Sequence, residues 1–404
     1  MNRVVVTGIG IVSPNGNSRE EVWENVSNLN CGIKKSNLPN ANFVGMVNED
    51  FNKSLTTKEK RYMNRCTQLA LLASKEAIED ANICMDNNNS EDISVLVGSS
   101  VGGISSLAEE FGESALNGLN EMSMLVIPRA LINMIPANIS IRLGIKGETI
   151  AYSNACASGT VAIGEAFKKI QHGERSMIIA GGSEACVIPE VLEPFRKLKA
   201  LTNSNTLNNA SIPFSSKRSG FVMSEGSAML VLENYQHAID RGANIYCEIF
   251  GYGSSSDAKS LLAPDLEGVK RCIKNTINDA NIDYNEIEYI NAHGTSTKLN
   301  DSTETKAISD LFSHRPLISS TKSLHGHALG AAGAIEAALC GMMIKNSLLI
   351  PTINVDHNDI DFEEPLNFLL QKPVPYKNGK ILSNSFAFGG HNASLVFGKE
   401  RGFI

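Results

Sequence analysis

Hydrophobic and polar positions alternate between two periods along this chain. The opening run VVVTGIGI is apolar throughout and reads as a buried strand. Ser18 with Glu21 then offers a capping box for the helix EEVWENVSN. Thr56 with Glu59 offers a second, opening a long helix through Ala81 with apolar positions at Met63, Cys66, Ala70, Ala73 and Ala77. ISVLVGSS follows as a strand. Residues 104–150 are mixed, with helical LAEEFGESALNGL and LINMIPANISIRLG. TIAYS, SMIIAGGSE and AMLVLENY read as further strands. This alternation predicts an α/β layered fold.

The pattern also echoes itself. A helix ending in DANIC at 80–84 runs into the strand ISVLVGSS, and a helix ending in DANID at 279–283 runs into EIEYINAHGTS. The turn around Cys156 is echoed by LHGHALGAAGAIEAALCGMMI at 324–344, another tight polar turn feeding a helix of small residues. Two echoes in one order predict duplicated halves, 1–241 and 242–404, with a shared interface where sites often form.

Composition narrows the function. The chain has 404 residues, 42% hydrophobic and 20% charged, which suits a soluble protein of two fused parts. A net formal charge of −7 argues against general nucleic-acid binding, and an acidic partner would need a local basic patch. No apolar run approaches the ~18 residues of a membrane helix. The glycine-broken start is read as a strand, not a signal peptide, and the protein as cytosolic. The eight cysteines form no CxxC pair, which argues against a zinc cluster and for reduced thiols. TGIGIVSPNG lacks the third glycine of GxGxxG, and VGSSVGG lacks a Walker lysine; both read as structural turns.

Four stretches carry chemistry. In YSNACASGT, 152–160, Cys156 stands between a strand and a helix, where unpaired N–H groups and the helix dipole favour a thiolate. A buried structural thiol reads equally well there. In NAHGTST, 291–297, His293 ends a strand, with hydroxyls at Thr295 and Thr297. A structural histidine is the alternative. Asp301 and Glu304 follow as acids in the start of a helix, where the dipole favours them. In SSTKSLHGHALGAAGAIEA, Lys322, His325 and His327 crowd one turn, and Glu336 inside GAIEAAL needs a buried cation, for which Lys322 is the candidate. In SNSFAFGGHNASLVF, Gly389 and Gly390 lie between Phe388 and His391. They suit either close approach to a ligand, with a backbone N–H as oxyanion donor, or a plain hairpin turn.

Taken in order, NACAS, NAHGTST, TKS-x-x-GH-x-LGAAGA-x-E and F-x-FGG-x-N resemble the β-ketoacyl-acyl-carrier-protein synthases, of the chain-elongating type. VVVTGIGIVSPNG and GFVMSEGSAMLVLENYQHA are similar to the same family, so the resemblance spans the chain. It implies the thiolase fold: two duplicated α/β halves in five α-β-α-β-α layers, usually as a homodimer. It implies that Cys156 is the nucleophile, its pKa lowered by the helix start, and that His293 and His327 are a catalytic pair. Lys322 and Glu336 support the site electrostatically. Phe388 is the gating phenylalanine, whose N–H joins that of Cys156 in an oxyanion hole. Thr295 and Thr297 hold a pantetheine arm, with Gly389 and Gly390 beside the substrate.

The implied reaction loads an acyl group on Cys156, decarboxylates a malonyl-carrier and joins the two as a 3-oxoacyl-carrier, as in fatty acid elongation. No metal or redox cofactor is implied; substrates ride on the phosphopantetheine of acyl carrier protein. Two basic clusters, Lys58, Lys60, Arg61 and Arg65 on one helix and Arg196, Lys197 and Lys199, are candidate docking sites for that acidic partner, against a reading as ordinary solvated charge. The stretch LNEMSMLVIP, 119–128, lacks the basic residues often found in relatives.

Several positions depart from the family pattern: Ala387 for a glycine, implying a stiffer gate, and His391 for a threonine. Ser215 and Ser219 stand where acids are common, and Ala258, Lys259 and Leu262 lie in the pantetheine loop; His325 reads as extra polar lining. These departures bear on substrate class. They leave as alternatives a specialised ketosynthase of a polyketide or polyene pathway, or a non-elongating subunit in a heterodimer. A degradative thiolase would need a second cysteine near the C-terminal Gly-Gly, and SFAFGGHN has none.

Overall fold

The computed structural model describes residues 1–85, 90–360, 362 and 364–402. Among the described residues, the N-terminal half supplies five strands to the large sheet: β1 (Val4–Val12), β2 (Ile93–Gly98), β3 (Thr149–Tyr152), β4 (Met177–Glu184) and β5 (Gly226–Asn234). The C-terminal half supplies β6 (Cys247–Ser256), β7 (Ile287–Asn291), β8 (Leu317–Ser319), β9 (Lys380–Ala387) and β10 (His391–Gly398). In space the first set runs β1-β5-β4-β2-β3 and the second β6-β10-β9-β7-β8. The pairings match step for step: antiparallel, antiparallel, parallel, parallel in each. Val4–Val6 of β1 pair antiparallel with Cys247–Ile249 of β6, so hydrogen bonds run from one set to the other. A two-residue strand, Asn367–Phe368, extends the far edge beside β8.

Helices fill the layers. Helix α1 (Arg65–Asp80) covers the outer face of the first set, against β1, β5 and β4. Helices α2 (Ser158–Gln171) and α5 (Ala332–Lys345) lie between the sets and touch strands of both. Helix α3 (Leu266–Ala280) covers the outer face of the second set with α4 (Lys298–Leu311) beside it. The five α-β-α-β-α layers follow. Being sandwiched, α5 is buried on every side from Ala332 to Ile344, which explains its lack of a polar face. One core cluster runs through the middle layer and joins Ile163 and Phe167 of α2 to Leu339 and Met343 of α5.

Two readings from sequence need correction. Of TGIGIVSPNG only Ser13–Gly16 turns, and the first two glycines continue the strand read in VVVTGIGI. Gly8 and Gly10 lie inside β1, where a Cβ would stand 2.2 Å from the Ala77 carbonyl oxygen and 1.9 Å from that of Ala73. They let strand and helix touch backbone to backbone. The helix opened by Thr56 does not reach Ala81. It ends at Tyr62, Met63 turns extended and buried, and the Asn64 side chain accepts the Thr67 N–H at 2.8 Å to start a second helix. Lys58, Lys60 and Arg61 therefore lie on one short helix and Arg65 on the next. No helix among the described residues is long and apolar enough to cross a membrane.

The β1–α1 contact yields a paired test. Gly10→Ala should lower the denaturation midpoint by the equivalent of about 1–3 kcal/mol, because backbone blocks the added methyl. Gly112→Ala, in an open helical position, should raise it by about 0.5–1 kcal/mol.

Candidate active site

Cys156 sits in the turn from β3 to α2. That turn is held open by Ala155, a non-glycine residue at φ 47°. Its strain is supported by hydroxyls: Ser158 Oγ and Ser100 Oγ donate to the Ala155 carbonyl at 2.6 and 3.2 Å. The opposing turn, between β8 and α5, presents His327, whose Nε2 lies 3.2 Å from Cys156 Sγ. His293, just past β7, meets His327 edge-on with ring centroids 5.3 Å apart. Residues 171 apart in sequence are thus in direct contact.

Lys322 lies behind the histidines and is buried. Its ammonium pairs with Glu336, donates to the His293 carbonyl at 2.7 Å and lies 3.4 Å from His293 Nδ1. An ammonium only donates, so Nδ1 accepts and the His293 proton sits on Nε2. Burial, joined by the Lys322 charge, holds both His293 and His327 well below the ordinary histidine range. Both rings are neutral. Burial pushes Glu336 up to about 7 against the pull of Lys322.

The expectation of a low-pKa thiol fails. Burial pushes the half-buried Cys156 thiol up to about 12, ahead of the lowering by Lys322. Backbone N–H groups of Cys156 and Phe388 do point at the sulfur and lower its pKa, by less than desolvation raises it.

Phe388 stacks on Phe195 with centroids 6.2 Å apart and planes 15° from parallel. Gly389 and Gly390 have φ of 82° and 73°, which favour glycine. The Gly389 N–H donates to the Leu261 carbonyl at 2.8 Å, tying the turn to the 257–265 loop. Ala387 is extended at φ −123°, so its methyl adds no strain. His391 is exposed and pairs with Ala387 across the turn. A cavity of about 1330 Å³ opens here, lined by Cys156, His293, His327 and Phe388 and, on its outer wall, by Thr295 and Thr297. The two threonine hydroxyls lie 2.9 Å apart. Leu262 and Ser219 reach the same cavity; Ser215 is buried, and Lys259 pairs with Asp265.

Other assignments change. Glu304 is no solvated dipole acid. It is fully buried and accepts the His293 and Gly294 N–H groups at 2.9 and 2.8 Å. Asp301, also buried, accepts the Phe214 N–H at 2.9 Å and faces Arg218 at 3.7 Å. His325 does not line the cavity; it is buried, bonds to Thr321 at 3.2 Å, and burial lowers its pKa to about 3. Arg65 is no free docking cation: its guanidinium forms a fork with Glu225 at 2.6 and 2.8 Å and lies over the Phe51 ring. Lys58, Lys60 and Arg61 are exposed. Arg196 and Lys197 share Glu193 at 2.7 and 3.7 Å, and Arg196 stands at the cavity rim.

Comparison with known proteins places this geometry. Residues 1–238 match the family model described as the N-terminal domain of β-ketoacyl synthase, and residues 246–356 that of its C-terminal domain. A 3-oxoacyl-[acyl-carrier-protein] synthase 2 of Staphylococcus aureus is 38% identical over 410 aligned positions, covering 98% of both chains. A solved ishigamide ketosynthase/chain length factor superposes with TM-score 0.91 at 30% identity over 99% of this chain and 100% of its own. A type II polyketide ketosynthase, solved with its acyl-carrier protein and a hexaketide, gives 0.91 at 29% with the same coverage.

The protonated thiol has a direct readout. Alkylation of Cys156 by iodoacetamide should quicken about tenfold per pH unit from pH 6 to 9 with no plateau, because the thiolate fraction rises that way below its pKa. A plateau near pH 6–7 would show a thiolate already formed.

Proposed function

The chain belongs to the β-ketoacyl synthase family, and from that premise we propose that it elongates acyl chains by decarboxylative condensation with malonyl-acyl carrier protein. The observation that carries this reading is the contact of Cys156 Sγ with His327 Nε2 at 3.2 Å, under two backbone N–H groups.

In the first half-reaction Cys156 Sγ attacks the carbonyl carbon of a carrier-bound acyl thioester. The carbonyl oxygen becomes an oxyanion between the Cys156 and Phe388 N–H groups. The pantetheine sulfur leaves and takes up the proton released by the thiol, while the His327 Nε2–H donates to Cys156 Sγ. Comparable oxyanion donors contribute roughly 2.7–4 kcal/mol each. The product is an acyl-enzyme thioester.

In the second half-reaction Thr295 and Thr297 hold the arm of malonyl-carrier. The malonyl C–C bond breaks, carbon dioxide leaves, and the electron pair passes into the thioester enolate. His293 donates from Nε2 to the enolate oxygen, and His327 donates beside it. Neutral imidazoles suit this task, because each keeps its N–H without surrendering the proton. The enolate carbon attacks the acyl carbonyl and the C–S bond breaks. Cys156 regains a proton from solvent as the 3-oxoacyl-carrier departs. Lys322, with Glu336, holds His293. Phe388, with Gly389 and Gly390, gates the cavity.

Fatty acid elongation is the favoured substrate class, supported by the full-length relative at 38% identity. A polyketide or polyene ketosynthase is the second reading, favoured by the solved relatives and by Leu262 in the cavity wall. We place the boundary between halves at Arg241/Gly242. Acyl carrier protein docks at Arg196 and Lys197 on the rim, with Lys58, Lys60 and Arg61 a second basic patch.

The chain pairs with a second copy of itself. Strand β3 ends the sheet with one edge unpaired by any described strand. The helix Met134–Leu143 packs beside it, and Leu116, Met124 and Ile141 of the 104–143 region are 86%, 90% and 73% exposed.

Two experiments test these assignments. Mixed with acyl-carrier proteins, the wild type should gain an acyl adduct by intact mass and Cys156→Ala none; His293→Ala should load normally yet lose malonyl decarboxylation by 10²-fold or more. Absence of an adduct with every acyl group would overturn the reaction. Light scattering should give twice the chain mass, falling to monomer in Ile141→Asp; a monomeric wild type would overturn self-pairing.

A further inference from the structure

Beneath the reacting groups lies a carboxylate that the mechanism above does not use. Glu184, the last residue of β4, is fully buried. Its Oε2 accepts the Ser100 N–H at 2.7 Å and the Gly330 N–H at 3.1 Å, and its Oε1 accepts the Ser99 hydroxyl at 3.1 Å. These donors belong to both sides of the site. Ser100 passes the contact on: its hydroxyl bonds the Ala155 carbonyl at 3.2 Å, next to the nucleophile and at the strained φ. Gly330 lies three residues past His327, in the turn that feeds α5. A Cβ at Gly330 would stand 2.4 Å from the Ser100 nitrogen and 2.7 Å from Glu184 Oε2, so the three groups meet without room for a side chain.

We propose that Glu184 is a positioning residue for the condensation, a carboxylate clamp that fixes the Cys156 turn of one half against the His327 turn of the other. The proposal rests on the reaction assigned above. Backbone N–H groups can only donate, so the clamp needs a group that only accepts. One carboxylate oxygen accepts both N–H groups while the other takes the Ser99 hydroxyl, and bonds to a charged carboxylate are stronger than bonds to a neutral amide. Burial raises the Glu184 pKa against the pull of its hydrogen bonds, and its ionised form opposes ionisation of the Cys156 thiol. Glu184 thereby does two things: it sets the Sγ–Nε2 distance, and its charge adds to burial in raising the thiol pKa.

These effects separate in Glu184→Gln. Loss of charge should move the midpoint of Cys156 alkylation to lower pH. Replacing charge-assisted hydrogen bonds by weaker neutral ones should cut condensation kcat at least tenfold with KM for malonyl-carrier unchanged, since no substrate contact is touched. Glu184→Asp, which keeps the charge on a shorter arm, should restore the alkylation profile while leaving kcat reduced. Ser100→Ala keeps the charge and removes the hydroxyl link to Ala155; it should lower kcat without moving the midpoint, and it carries the test if Glu184→Gln does not fold. A folded Glu184→Gln enzyme with wild-type kcat and alkylation profile would overturn the proposal, as would a fall in melting temperature alone. Alkylation needs no carrier or acyl substrate. A wild type that fails to condense would count against the reaction, and the alkylation series would still decide whether Glu184 governs the thiol.

Discussion

The site is organised by one buried positive charge. Lys322 is held at the junction of the halves by Glu336 and spends its remaining donors on His293. A buried ion pair is a poor source of stability, since desolvation of both partners offsets their attraction. Its value here is electrostatic. The ammonium adds to burial in keeping both histidines neutral, and it pulls the Cys156 thiol down while burial pushes it up. One charge therefore acts on the thiol and on both imidazoles in the directions that the two proposed half-reactions need.

That charge works only because the middle layer is thin. Gly159 and Gly333 of the two central helices allow the approach: a Cβ would stand 2.9 Å from the Gly330 oxygen at the first and 1.9 Å from the Thr160 hydroxyl at the second. Backbones that meet this closely bring the starts of α2 and α5 together, and with them the turns bearing Cys156 and His327. Interiors are close-packed, so a displacement of either helix cannot be absorbed locally and reaches the reacting atoms.

Much of the architecture was legible in the chain. The paired echoes at 80–84 and 279–283 mark equivalent helix-to-strand junctions, α1 into β2 and α3 into β7. The small-residue run after His327 is the buried helix α5, whose composition leaves it no face for water. What periodicity could not supply were contacts between distant segments. Glu304 looks like an ordinary acid near a helix start because nothing local shows that its carboxylate meets the His293 backbone. Glu184 ends an apolar strand in GGSE, and a buried acid there was the available signal. The thiol was misjudged for a different reason. A strand-to-helix turn reveals the dipole that stabilises a thiolate, but the walls that desolvate it come from elsewhere in the chain. The break at Met63–Asn64 was missed because the apolar period continues across it while the Asn64 cap resets the helix.

For the proposed reaction, a thiol that rests protonated has a consequence for selectivity. Forming a free thiolate in this cavity means placing charge on sulfur where burial opposes it. Attack on a thioester avoids that state: charge leaves sulfur as it appears on the carbonyl oxygen, where the Cys156 and Phe388 N–H groups wait. In the proposed reaction the barrier is therefore lowest for an acyl group already seated between those two N–H groups. Small electrophiles that cannot use them meet the full cost of ionisation. Discrimination between carrier-bound substrate and stray reagent then follows from where the site lets charge develop.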